Sequence, residues 1–267
     1  VGKLVNYFGA LSLSLIVGLN PVNAALKKHT DNAHPKKLVY HSSNNPYMLH
    51  SFNDDEKGKY VDRSIDPVLS EQTDIFGIVH STRPSIFAYE DSCTTILGSY
   101  SGNFVIKINE NKFTNKVRKS VLSHETAHLN TDILGKIIEV DVMKLYRDND
   151  AKIALGMQLV CEGIAQYIEV KKGYAKPLEI KWPEDPLYLY LLSEVSSINL
   201  DNSGNINDYK YWGGYAVVKP IIDKYHVEGI EHLLKNPPST TEELTKPMEL
   251  YVKRIMSELE TLSFSSR

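Results

Sequence analysis

The sequence holds two cysteines, Cys93 and Cys161, in 267 residues. That is too few for a disulfide scaffold and allows at most one bridge. It carries no surplus of charge: 30 Lys and Arg stand against 33 Asp and Glu, a net charge of −3. Without a basic field, a nucleic acid is excluded as the main partner. Past the N-terminal region no stretch stays apolar for the ~20 residues a membrane helix needs. No repeat recurs at a period of ~20–50 residues. Gly-x-Ser-x-Gly is absent, and Gly98 to Gly102 lacks the Lys-Ser/Thr ending of a phosphate loop. What is present is ordinary globular usage, 42% hydrophobic and 24% charged. That excludes a disordered or collagen-like chain. The length suits one large domain or two small lobes sharing a cleft.

The N-terminal order is a cation at Lys3, an apolar run from Phe8 to Leu19, the breaker Asn20-Pro21, then Val22-Asn23-Ala24. This is the layout of a secretory signal over residues 1–24. The expectation is a secreted or extracytoplasmic protein with no stable membrane span after cleavage; an uncleaved anchor is the alternative. No Cys near Ala24 supports a lipid anchor. In an oxidising compartment Cys93 and Cys161 could pair, or remain two buried thiols. Residues 25–50 are polar and basic and read as a linker, with His29, His34, His41 and His50 at no fixed spacing.

Residues 60–110 carry strand signals: Ile75 to His80, Ser85 to Tyr89, Thr94 to Leu97, and Phe104 to Ile108 after a Gly-rich break. From Lys116 the apolar spacing becomes helical and runs to about Arg147. Further helices are expected over Ala151–Lys172, Pro186–Ser196, Tyr209–His226, Val227–Lys235 and Thr240–Leu262. Gly173 is a cap, and Pro220 and Pro247 are kinks or boundaries. Asp201 to Asp208 reads as a polar loop; its alternating oxygen side chains resemble a calcium loop, but Trp212 stands where the acidic twelfth ligand belongs. The fold class is α+β. A small, antiparallel-rich sheet lobe over residues 51–130 ends in the motif helix, and a helical lobe follows over 131–267, the two making one unit.

That motif is His124-Glu125-Thr126-Ala127-His128. Histidines at i and i+4 share one face of a helix, so both imidazoles can bind one ion. Glu125 lies about 100° round the helix. It can reach a water beside the ion without binding the ion, which is what a general base needs. A catalytic zinc wants three protein ligands and an open position. Leu134 and Thr131 occupy the places where a metzincin has its third His and its Gly. Two glutamates remain as the third ligand, Glu162 and Glu139.

Glu162 stands in Cys161-Glu162-Gly163-Ile164-Ala165-Gln166-Tyr167. With the His124–His128 motif, this resembles the gluzincins, the thermolysin-like zinc metallopeptidases with a zincin-like fold. The resemblance implies His124, His128 and Glu162 as zinc ligands and Glu125 as general base. Tyr211-Trp212-Gly213-Gly214-Tyr215-Ala216-Val217-Val218 is similar to a segment of gluzincin aminopeptidases whose Tyr steadies the oxyanion. It nominates Tyr211, with Tyr215 and Tyr209 as alternatives. The strand before the motif helix, Phe104 to Ile108, would border the cleft and pair with substrate.

Departures from the family pattern are Gln166, where a carboxylate bracing a ligand His is expected, and Lys246, where a closing His-Pro pair has His. Glu169 and Asp132 are other candidates for the bracing carboxylate. The Glu that holds a free amine in the aminopeptidases has no counterpart near Ser101 to Asn103. The expectation is therefore an endopeptidase acting on peptide or protein substrates. The alternative is a secreted, non-catalytic binding protein that keeps the fold.

Overall fold

A computed structural model describes residues 38–40, 49–50, 52–92, 96–195 and 203–265. The signal and most of the linker lie outside the described residues. Two short pieces of the expected linker are strands, β1 (Leu38–Tyr40) and β2 (Leu49–His50).

The segment after Phe52 opens with a helix, not with strands. Asp54 caps it, its carboxylate accepting from the backbone N–H of Glu56 and Lys57, and α1 runs over Asp55–Phe76. Val61, Ile65, Val68, Leu69, Gln72, Ile75 and Phe76 recur on its buried face. Gly77 ends it in the left-handed region, φ 68°. The chain then forms β3 (Ile78–His80), β4 (Ser85–Tyr89), β5 (Gly98–Tyr100) and β6 (Val105–Asn109).

The main sheet has the order β2-β4-β6-β5, with β1 and β3 paired separately in parallel. Only β5 and β6 pair antiparallel, and β5 is built from the Gly-rich stretch expected as a break; Ile96 and Leu97 of the expected strand lie outside any strand, and Thr94 and Thr95 lie outside the described residues. β2 and β6 both run parallel to β4, so the sheet is mixed rather than antiparallel-rich. The chain between β4 and β6 passes through β5, which takes the outside position and lets β6 slot in parallel beside β4.

Helix α2 (Arg118–Ile137) lies against β5 and β6 on one side and against α1 and α4 on the others. From Val121 to Gly135 every residue is buried except half-buried His128. The helical pattern does not run on to Arg147. Gly135 leaves room for the chain to fold back: a Cβ there would sit 2.4 Å from Val142 Cγ2 and 2.8 Å from the Val140 carbonyl. After this return comes α3 (Val142–Tyr146), then α4 (Ala151–Lys171), buried from Ala154 to Glu169.

The rest is helical: α5 (Pro186–Val195), α6 (Ser203–Asp208), a π-helical turn (Tyr209–Gly213), α7 (Gly214–Lys235), α8 (Thr241–Thr245) and α9 (Tyr251–Ser265). Helix α7 is broken at His226, whose φ is 53°, so two helical pieces meet where the sequence placed a boundary. The stretch read as a polar loop is mostly α6. No helix among the described residues is long and apolar enough to cross a membrane.

Candidate metal centre

Helix α2 carries the two histidines, and α4 brings Glu162 to them. His124 Nε2 and His128 Nε2 stand 3.1 Å apart. Glu162 Oε2 lies 3.1 Å from the first and 3.3 Å from the second. These three side chains form a group that could hold a metal ion. Glu139, the competing ligand, is exposed on the turn after α2 with φ 62° and is not part of the group.

His124 and Glu162 are braced from behind. His124 Nδ1 lies 2.6 Å from Glu169 Oε1, and the Ser120 hydroxyl donates to Glu169 Oε2. Glu169 thus does what was expected at Gln166. It is two turns along α4 from Glu162 rather than one, and it faces α2. A carboxylate behind a ligand imidazole fixes its tautomer and orientation. Asp132 is engaged elsewhere, accepting from the Tyr100 hydroxyl at 2.7 Å and from Lys136 at 2.8 Å. Glu162 Oε1 accepts from the Tyr146 hydroxyl at 2.5 Å. The sequence reading missed Tyr146. It sits on α3, and no motif distinguishes it among 16 tyrosines.

Burial would raise the Glu162 carboxyl, but His128 and His124 overcome it and hold it well below the ordinary range. Burial opposes a charge on His124, and Glu162 and Glu169 overcome it, pushing its pKa well up.

Glu125 is buried, and its Oε2 has no hydrogen-bond partner among the described residues. An orphaned buried carboxylate oxygen is costly and calls for an explanation. Here it belongs to a side chain lining the same cavity of about 310 Å³ as His124, His128 and Glu162. Burial raises its pKa, while His124 and His128 pull it down. Gly98 of β5 makes room for it: a Cβ at Gly98 would fall 3.1 Å from Glu125 Oε1 and 2.9 Å from Val121 Cγ1.

Of the three nominated tyrosines only Tyr211 lines the cavity, its ring 5.5 Å from that of His124. The nearby Glu162 charge and burial both raise its pKa, so its hydroxyl stays a donor. Tyr209 donates to the Leu244 carbonyl at 2.6 Å, a packing role, and Tyr215 is buried outside the cavity. The π-helical turn shifts the register just ahead of α7 and carries Tyr211; such turns recur at functional sites. The turn comes close because α4 and α7 cross glycine to glycine. A Cβ on Gly163 would lie 2.4 Å from the Gly214 carbonyl oxygen.

The strand bordering the cavity is β5, through Gly98, Ser99 and Tyr100. Phe104 to Ile108 does not border it, because β6 lies between β4 and β5. Lys246 is exposed at the end of α8, away from the cavity. Cys161 is a buried free thiol at the cavity wall, and Cys93 lies outside the described residues.

The fold is α+β, and its centre is a His-His-Glu group set in an open cavity beside a sheet edge. No protein family, curated protein or solved structure matches the chain.

Proposed function

We propose that the protein is a zinc-dependent peptidase of the thermolysin-like gluzincin kind, with a zincin-like fold, working outside the cytoplasm as an endopeptidase. The observation that carries this reading is the unpartnered Glu125 carboxylate beside the His124–His128–Glu162 group. A group built only to hold a metal has no use for a buried carboxylate one residue from a ligand and outside the cluster.

The donor set fits zinc. Bonds of about 2.0–2.2 Å place tetrahedral ligands roughly 3.3–3.6 Å apart, and the three separations here are 3.1, 3.1 and 3.3 Å. Zinc bound there would supply Lewis acidity toward a peptide carbonyl and toward a water. The chain's residues do the rest. Glu125 takes a proton from the attacking water and returns it to the leaving amine. Tyr211 donates its hydroxyl hydrogen to the oxyanion. Glu169 orients His124, and Tyr146 fixes the free oxygen of Glu162. An extended substrate would add to the exposed edge of β5. The endopeptidase form rests on a cavity that continues past Tyr100 into a second hollow, with no Glu at Ser101 to Asn103 to hold a free amine.

The test is metal content and hydrolysis measured together on protein purified without chelator. About one zinc per chain with cleavage of internal peptide bonds is expected. No zinc even after it is supplied would overturn the reading, and zinc without hydrolysis would leave a metal-binding protein instead.

A further inference from the structure

The cavity at the metal centre meets a second hollow of about 520 Å³, and the two share Met143 and Arg147. Arg147 therefore stands at the passage between them. Its backbone is pinned as the residue ending α3, its N–H donating to the Lys144 carbonyl at 3.2 Å. The residue before it, Tyr146, has its hydroxyl on the metal-group Glu162. The guanidinium is thus tethered one residue from a side chain that touches the site.

Apart from the two histidines of the metal group, the cationic side chains lining these hollows are Lys136 and Arg147. Lys136 is taken by Asp132 at 2.8 Å. Arg147 is exposed and has no ion pair or hydrogen bond from its guanidinium to any described residue. The carboxylates of the inner cavity, Glu125 and Glu162, are buried around the histidines. A free, planar five-donor cation at the mouth of a cleft is matched to a carboxylate.

Resting on the peptidase reading and deepening it, we infer that Arg147 selects substrates by a carboxylate beside the scissile bond. Glu139 and Asp141 line only the outer hollow. They repel acids there and confine the preference to the position over Arg147. The carboxylate is either an Asp or Glu side chain or the free C-terminus of the peptide.

The zinc-loaded protein is given two mixtures of random decapeptides, one acetylated and amidated, the other with free C-termini. Products are mapped by mass spectrometry. In the blocked mixture, Asp and Glu should be enriched about threefold to fivefold at one position beside the cut. A preference confined to bonds near free C-termini in the second mixture would assign the carboxylate to the terminus. Arg147→Gln should abolish whichever preference appears, and Arg147→Glu should replace acids by Lys and Arg. Cleavage with no acidic or C-terminal preference, or a preference unchanged in Arg147→Glu, overturns the inference while leaving the peptidase intact. Fluorescein-labelled acidic and neutral amidated peptides, and neutral peptides with free C-termini, are also titrated against zinc-loaded Glu125→Gln protein. If the wild type cleaves nothing, the peptidase reading falls. Carboxylate-dependent binding lost with Arg147→Gln would still support the role of Arg147. Equal binding of all three peptides, or none, would overturn it.

Discussion

His124 and His128 are legible because one helical turn separates them, a spacing that needs only α2 to be a helix. Glu162 is legible through its Glu-Gly-x-Ala setting, and Glu139 drops out because the chain turns at φ 62° after α2. Glu162→Ala should therefore lower zinc affinity by more than ~100-fold, as loss of a direct ligand exceeds the 10–100-fold typical of groups behind it, while Glu139→Ala leaves it unchanged. Competition with a chromophoric chelator decides, and the reverse ranking would place the third ligand wrongly. Tyr146 was not legible, because its role depends on the return of the chain over Gly135. The two site tyrosines should separate. Tyr211→Phe should keep zinc and lose about 2.7–4 kcal/mol of transition-state stabilisation in kcat/KM. Tyr146→Phe should mainly weaken zinc, because its hydroxyl holds Glu162. Equal effects of both on zinc affinity would show that Tyr211 also serves Glu162 rather than the oxyanion.

Among the elements, α4 follows the sequence closely and α2 does so as far as Ile137, because long periodic segments buried on all sides leave little competing structure. Helix α1 was misread although Asp54, the apolar spacing and Gly77 all mark it. Pro67 and the β-branched residues near it lower the intrinsic helix propensity of this segment, and tertiary burial overrides it. Helix α6 was read as a loop from its Asn, Ser and Gly content, and it is held by contacts with α5 and the π-helical turn. The crossing of α4 and α7 is an element that single residues control. Gly163→Ala puts a methyl into the Gly214 backbone. Overpacking of this kind costs roughly 1–3 kcal/mol. It should also move Tyr211 away from Glu162, so thermal stability and kcat should fall together. An unchanged melting temperature would show that the helices part without strain.

For the whole molecule, α+β order could be read from the chain, but parallel pairing of β2, β4 and β6 could not, since it depends on partners distant in sequence. Equally hidden is the polar network tying α1, β3 and α2 behind the metal centre. The Gln72 side chain donates to the Ser123 carbonyl and the Thr126 hydroxyl, both at 2.8 Å. Asn130 donates to Gln72 Oε1 at 2.7 Å, and His80 Nε2 meets Asn130 Oδ1 at 2.5 Å. Burial lowers the His80 pKa below 6.5 despite Asn130, and its Nδ1 has no partner to take a second proton. A depressed folded pKa makes this contribution to stability full above pH 6.5 and lost as pH falls below it. Melting curves with excess chelator should show the wild type losing stability relative to His80→Gln as pH falls from 7.5 to 5, values set roughly one unit and more either side of the unperturbed histidine. A constant difference would mean that His80 protonates freely in the fold. The central claim, that Glu125 is a proton-transferring base beside a metal it does not bind, is tested most directly by the hydrolysis rate of zinc-loaded Glu125→Gln protein. The account predicts full zinc content, an unchanged fold and a rate at least ~10²-fold below the wild type. A rate near that of an active wild type would contradict it.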